Sequence, residues 1–270
     1  MGVEMPFITA VLARLENPEI SLATHGGIVF PLALIIEAPV IMLLSASTAL
    51  SKDWESYQKI RRFMMILGAS LTFLHLMVVL TPLYDLVVVK LLGAPEEIIE
   101  SARIGLAYML PWTWSIAYRR FQQGVMIRFG HSKAVGVGTM VRLATDVVVL
   151  GSGLLIGTIP GYIIGPATQG LSTLAEAIYS GLSVLQSWYQ GALLYSRNTS
   201  GIPESMGIFL VTVMIVLSFG VLSGKFTGLF VGLFGFSLAN LTQTIWLWIR
   251  SRKIMREVGI RDVDAVWSVS

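Results

Sequence analysis

The sequence predicts an all-α, polytopic transmembrane bundle of about seven full spans, preceded by a partial N-terminal helix. Three observations lead there. Of the 270 residues, 54% are hydrophobic and only 13% are charged, where a soluble domain carries roughly 25% charged residues. Mean hydropathy is +0.74. Finally, apolar runs of about 20 residues, the length that crosses a hydrocarbon core at 1.5 Å per residue, recur along the whole chain.

The first apolar run, Met5–Leu15, is too short to cross alone. It lacks a basic leader and a small-residue cleavage site, so it does not read as a signal peptide. It reads instead as the second half of an incomplete helix. Full spans follow at Ile28–Leu50, Phe63–Thr81, Ile104–Ile127, Ala134–Gly157, Ile163–Tyr195, Gly207–Leu222 and Thr227–Ile249. The breaks hold turn formers: Glu16-Asn17-Pro18, Gly93-Ala94-Pro95, Ile159-Pro160-Gly161 and Gly201-Ile202-Pro203. This divides the chain into a first group of helices over 1–195, a linker over 196–206, two further spans over 207–250 and a tail over 251–270.

Basic residues set the orientation, because short cytoplasmic loops collect Lys and Arg. Lys52, Lys59, Arg61, Arg62, Arg128, Lys133, Arg197, Arg250, Arg252, Lys253, Arg256 and Arg261 fall on one side; Lys90, Arg103 and Lys225 fall on the other. The first side, with the C-terminus, is expected to be cytoplasmic, in a multi-pass protein of the cell's inner (plasma) membrane. The net charge of +3 is thereby spent on topology signals in loops, not gathered in a patch for nucleic acid. Asn198-Thr199-Ser200 fits a glycosylation acceptor but is expected on the cytoplasmic side.

Six ionisable residues fall inside the spans: Glu37, Arg119, Arg120, Arg142, Asp146 and Glu176. A charge at bilayer depth costs a few kcal/mol or more, so it persists only with a partner or a purpose. Three are positive and three negative, so the set is able to neutralise itself. Arg142 and Asp146, spaced i,i+4, share a helix face and read either as a packing ion pair or as a coupling-ion site at Asp146. Tyr108, Trp112, Ser115, Arg119 and Gln122 make one polar and aromatic helical stripe. Arg119, about 13 Å from Arg128 along that helix, reads either as a substrate contact or as a structural partner of Glu37 or Glu176. Arg120 points roughly 100° away and reads as structural. Gln169, Thr173, Glu176, Ser180, Ser183, Ser187 and Gln190 repeat the theme on the next long span but one, where small hydroxyls also serve close packing. Glu37-Ala38-Pro39 predicts a break or kink near mid-span.

Other chemistry is thinly supported. With no Cys in the chain, disulfides, thiolate metal sites and Cys nucleophiles are excluded. His25, expected near the outer surface, His75 and His131 have no companions at metal-ligand spacing, so neither a metal nor another cofactor is expected. There is no HExxH, Asp-rich motif or Gly-rich phosphate loop to support an integral-membrane lipid-processing enzyme, and the last span has no Lys for retinal.

The segment from Phe63 to about Gly157 resembles the N-terminal lobe of the multidrug and toxic compound extrusion (MATE) proteins, of the multidrug/oligosaccharidyl-lipid/polysaccharide exporter superfamily. The likeness rests on an order of elements. The basic loop Lys59-Ile60-Arg61-Arg62 is followed by Leu91-Leu92-Gly93-Ala94-Pro95-Glu96-Glu97, then by Ala102 and Pro111, and by Gly124 with the turn Gly130-His131-Ser132-Lys133. The double arginine and Pro111-Trp112-Thr113-Trp114 are similar to the progressive-ankylosis-like branch, associated with export of small anions. The resemblance implies a lobe of a two-lobed, alternating-access exporter, ion-coupled and not an enzyme. Arg119, Trp112, Gln122 and Glu37 would meet substrate; Asp146, Arg142 and Glu176 would couple the ion. With one lobe visible, it implies a homodimer or a separate second-lobe partner. The alternatives are a lipid-processing enzyme and a non-transporting truncated lobe whose charges only pack helices.

Overall fold

In the computed structural model, residues 4–195, 200–223 and 228–257 are described, and among them every regular element is helical. Helix α1 is Glu4–Leu12. Helix α2 runs over Pro18–Leu50, α3 over Trp54–Leu80, α4 over Glu96–Arg128, α5 over Ser132–Ile156, α6 over Gly161–Tyr195, α7 over Gly201–Ser223 and α8 over Gly228–Glu257.

Among the described residues, four helices are long and apolar enough to cross a membrane: Pro18–Leu50, Trp54–Leu80, Ser132–Ile156 and Gly201–Gly220. The expected count of seven is not reached by that measure. Helices α4 and α6 have the length, with 33 and 35 residues, but their polar stripes dilute their apolar character. Apolar side chains such as Leu210, Met214, Ile215 and Phe219 on α7 are exposed, a surface consistent with a membrane protein.

Several boundaries move, each for a local reason. Helix α2 begins at Pro18, not at Ile28, because proline is tolerated in a first turn whose N–H groups need no helical partner. Asn17 precedes it in the left-handed region at φ 50. Within α2, Ala23–Val29 is π-helical and Ala38–Met42 is 3₁₀. Pro39 therefore tightens the helix without ending it, and Glu37 sits at the junction with φ −95 and ψ 2. Proline misleads again at Pro203, which occupies the first turn of α7. The expected linker over 196–206 is thus helical from Gly201 onward. Helix α8 continues to Glu257, into the expected tail over 251–270. Asp85–Leu91 adds a short π-helical piece before the turn at Gly93, whose φ is 63. Arg197, Lys225, Arg261, the Asn198-Thr199 pair and tail residues 258–270 lie outside the described residues.

Helix α3 shows how these ends are written. Asp53 has extended backbone and its carboxylate accepts the Ser56 N–H at 2.7 Å, a complete N-cap. That bond holds the exposed Asp53 carboxyl below the usual carboxylate range.

The paired helices α4 and α6 form the axis of the bundle. Glycines let them approach: a Cβ on Gly105 would lie 3.0 Å from the Tyr162 carbonyl, and one on Gly170 would lie 3.3 Å from that of Tyr108. Helices α2 and α3 pack on α4 through a large apolar cluster that includes Val29, Leu43, Met64, Tyr84, Leu106 and Phe121. On the other side, Ile8, Val11 and Leu12 of α1 join Leu150 of α5 and Ile164 of α6. The α7–α8 pair reaches this core mainly through α8. Gln186 of α6 donates to the Asn240 carbonyl and the Thr244 hydroxyl at 3.2 and 2.8 Å.

Candidate functional site: a buried ion cluster between α1, α4, α5 and α6

The α4 stripe turns inward over most of its length. Trp112, Ser115, Arg119 and Gln122 are buried, while Tyr108, at the end of the stripe nearer the start of α4, is exposed. Arg119 donates to Glu176 Oε2 of α6 at 2.8 Å, and Gln123 donates to Oε1 of the same carboxylate at 3.0 Å. Arg120 is only partly buried, with its Nε unpartnered. The two adjacent arginines therefore have different lives: one is locked across the helix axis, the other is not.

The pairing extends through α5. Arg142 Nε stands 3.5 Å from Glu176 Oε2, and one of its terminal nitrogens stands 3.4 Å from Glu4 Oε2 on α1. Its neighbour at i,i+4, Asp146, is left out: neither Asp146 oxygen has a hydrogen-bond partner, although the side chain is fully buried. Ser172, Glu4, Arg142 and Glu176 are the polar groups that face it. Glu4–Arg142–Glu176–Arg119 is thus a continuous ionic chain across α1, α5, α6 and α4.

Glu37 lies on the other flank of α4. It is buried, neither oxygen has a hydrogen-bond partner, and the groups acting on it are the Thr113 hydroxyl and the Arg119 charge. Thr113 is engaged by His75, whose Nδ1 lies 2.8 Å from the Thr113 hydroxyl and whose Nε2 lies 3.1 Å from the Leu106 carbonyl. A carbonyl only accepts, so in the neutral ring the proton sits on Nε2 and Nδ1 accepts from Thr113. Trp112 packs against Phe30 of α2, ring centroids 6.2 Å apart. Gln122 is buried with its carbonyl oxygen unpartnered.

The structure therefore brings Arg119, Arg142 and Glu176 together, places Asp146 beside them, and holds Glu37 across α4. The balance of charge differs from the even set read in the sequence. Among the described residues, the buried carboxylates are Glu4, Glu37, Asp146 and Glu176, and the buried guanidiniums are Arg119 and Arg142. Glu4 stands one residue before the first apolar run, which begins at Met5, so the sequence does not mark it as buried. His25 is buried within the bundle. It is 2% exposed, inside the π-helical segment of α2.

No described group of three or more His, Cys, Asp or Glu side chains has metal-holding geometry. A groove of about 320 Å³ between α4 and α6, lined by Trp114, Tyr118, Ala177, Gly181 and Leu185, opens on the outer face of the bundle and includes no member of the ion cluster. The cluster itself is closed, with Arg119 at 5% exposure. In comparisons with known proteins, no family model, curated protein or solved structure matches this chain.

Proposed function

We propose that the chain is a secondary active membrane transporter, an ion-coupled exporter of small molecules, anions foremost, that works by alternating access. One observation carries this reading: Glu37 and Asp146 are buried carboxylates with no basic partner of their own. An ionised carboxylate taken out of water costs several kcal/mol unless its charge is met. Each therefore needs a proton or a small cation as counter-charge. A group that must be loaded when buried and unloaded when exposed is what couples an ion gradient to a conformational cycle.

Arg119 supplies the anion-facing element. In this conformation Glu176 occupies it, so a substrate anion has to displace that carboxylate. Arg142 already stands 3.5 Å from the same Glu176 oxygen and offers it a second partner. Exchange of Glu176 between the two arginines would free Arg119 without stranding a charge. Trp112 and Gln122, one to two turns away on the same stripe, complete the substrate-facing set. The likeness to a MATE lobe, with a homodimer or separate second lobe closing the cavity, the inner membrane as location and a cytoplasmic C-terminus, belongs to this reading.

The test is uptake of small anions into proteoliposomes under an imposed proton or sodium gradient. Asp146→Asn is expected to abolish the gradient dependence. Arg119→Ala is expected to lower anion uptake at least tenfold, with Arg119→Lys retaining part of it. Wild-type rates in both Asp146→Asn and Arg119→Ala would remove the roles assigned to them.

A further inference from the structure

Polar atoms buried without partners are rare in folded proteins, and each calls for a water, an ion or a function to account for it. Here they line up. Ser21 Oγ, Thr24 Oγ1 and both ring nitrogens of His25 on α2 are unpartnered, and so are Gln169 Oε1 and Thr173 Oγ1 on α6 and both oxygens of Asp146 on α5. None of these side chains is more than 3% exposed.

Their order is given by α6. A Cβ on Gly161 would lie 2.7 Å from Ser21 Oγ, and one on Gly165 would lie 3.3 Å from the His25 ring. Gln169 and Thr173 continue the same i,i+4 row, and Ser172 beside them faces Asp146. From Gly161 to Thr173 the row covers about 18 Å. It starts at the end of the bundle where α2 begins and α5 turns into α6. It stops at Asp146, because Glu176 on the next turn is taken by Arg119, Gln123 and Arg142. At the opposite end Trp54 stacks on both Tyr57 and Trp188, while Tyr57 meets Phe121.

His25 is the narrow point. It sits in the π-helical segment of α2, a wider turn often found at functional positions. Gly165 lies against it and against Leu12, the Phe30 ring lies 6.3 Å away, and among the described residues no charged group acts on it. Asp146 faces Arg142 on its own helix, Glu4 on α1 and Glu176 on α6.

We propose that these atoms line a hydrated half-channel that brings water and protons from the Pro18 end of the bundle to Asp146, with His25 as its constriction. The path does not depend on the transport reading, since its hydration is measured with no gradient and no substrate.

The absence of cysteine makes the test direct, because any introduced thiol is the only one. Ser21→Cys, Thr173→Cys and, on the outer face of α6, Leu171→Cys would be made singly and reconstituted in vesicles. Silver ion, small and water-borne, would be added and the remaining free thiol counted with a maleimide after denaturation. Thiols react as thiolates, which form in water and not in lipid. The cysteines at positions 21 and 173 are expected to be blocked at least tenfold faster than the one at 171, which is 46% exposed at the surface. Adding His25→Phe, or the milder Gly165→Ala, is expected to slow blocking at 173 at least tenfold and leave 21 unchanged. Size-exclusion profiles would show that each variant is folded. Blocking at 173 no faster than at 171, or insensitive to both narrowing substitutions, would overturn the half-channel.

Discussion

Arg119 and Thr113 each hold a buried polar partner on another helix, Glu176 and His75, so the bundle should feel the loss of either. Removing one member of a buried ion pair leaves the other uncompensated, at a cost of about 3–5 kcal/mol. Arg119→Ala is expected to approach the lower end, since Gln123 and Arg142 remain near Glu176; thermal unfolding in detergent measures it. Thr113→Val leaves His75 Nδ1 without its donor while keeping the shape, and about 1–3 kcal/mol is expected for that unsatisfied nitrogen. Arg120→Gln should be close to neutral in the same assay, because Arg120 is only partly buried and holds no ion pair. The inward stripe of Trp112, Ser115, Arg119 and Gln122 could be read from helical periodicity alone. What the spacing left open was which carboxylate Arg119 takes. For Arg142, i,i+4 geometry says only that it can meet Asp146; the Glu4 and Glu176 carboxylates, brought by two other helices, win it away.

Helix crossings and helix ends respond to different substitutions. Gly124 of α4 lies at its crossing with α2, where a Cβ would come within 2.5 Å of the Leu44 carbonyl, whereas at Gly136 of α5 nothing lies within 4 Å. Gly124→Ala is expected to cost about 1–3 kcal/mol by overpacking, and Gly136→Ala to be neutral or slightly stabilising; paired unfolding curves separate them. At the start of α3, Asp53→Ala should fray the first turn, seen as faster amide exchange over Trp54–Tyr57. Because its folded pKa is depressed, the cap's contribution is present above the ordinary aspartate pKa and is lost as pH falls through the folded value. Long apolar helices were legible in composition and period. Their ends were less so, since Pro18 and Pro203 signal a break in sequence while both sit comfortably in a first turn.

At the scale of the whole molecule, the decisive quantity is the imbalance, among the described residues, between four buried carboxylates and two buried guanidiniums. A set designed only to pack helices would be expected to close its own charge. Arg142→Gln widens the imbalance and removes the link between α1 and α6, so it is expected to impair both stability and gradient-driven uptake. Asp146→Asn narrows it, and is expected to keep or raise thermal stability while uncoupling transport. Opposite signs of those two stability changes are the outcome that the coupling role proposed for Asp146 predicts. The imbalance was hidden in the sequence by Glu4, a single residue before an apolar run, and by Arg120, which helix geometry turns away from the core.

The α7–α8 pair carries a mechanical consequence. Glu204 near the start of α7 receives Arg250 Nε at 2.8 Å and the Trp246 indole N–H at 3.3 Å, and α7 meets the rest of the bundle chiefly through α8. Under tension applied at the C-terminus, for example by an atomic-force tip, these two helices should peel from the bilayer together as the first event. The axis of α4 and α6 should yield only afterwards, in a separate and larger force peak.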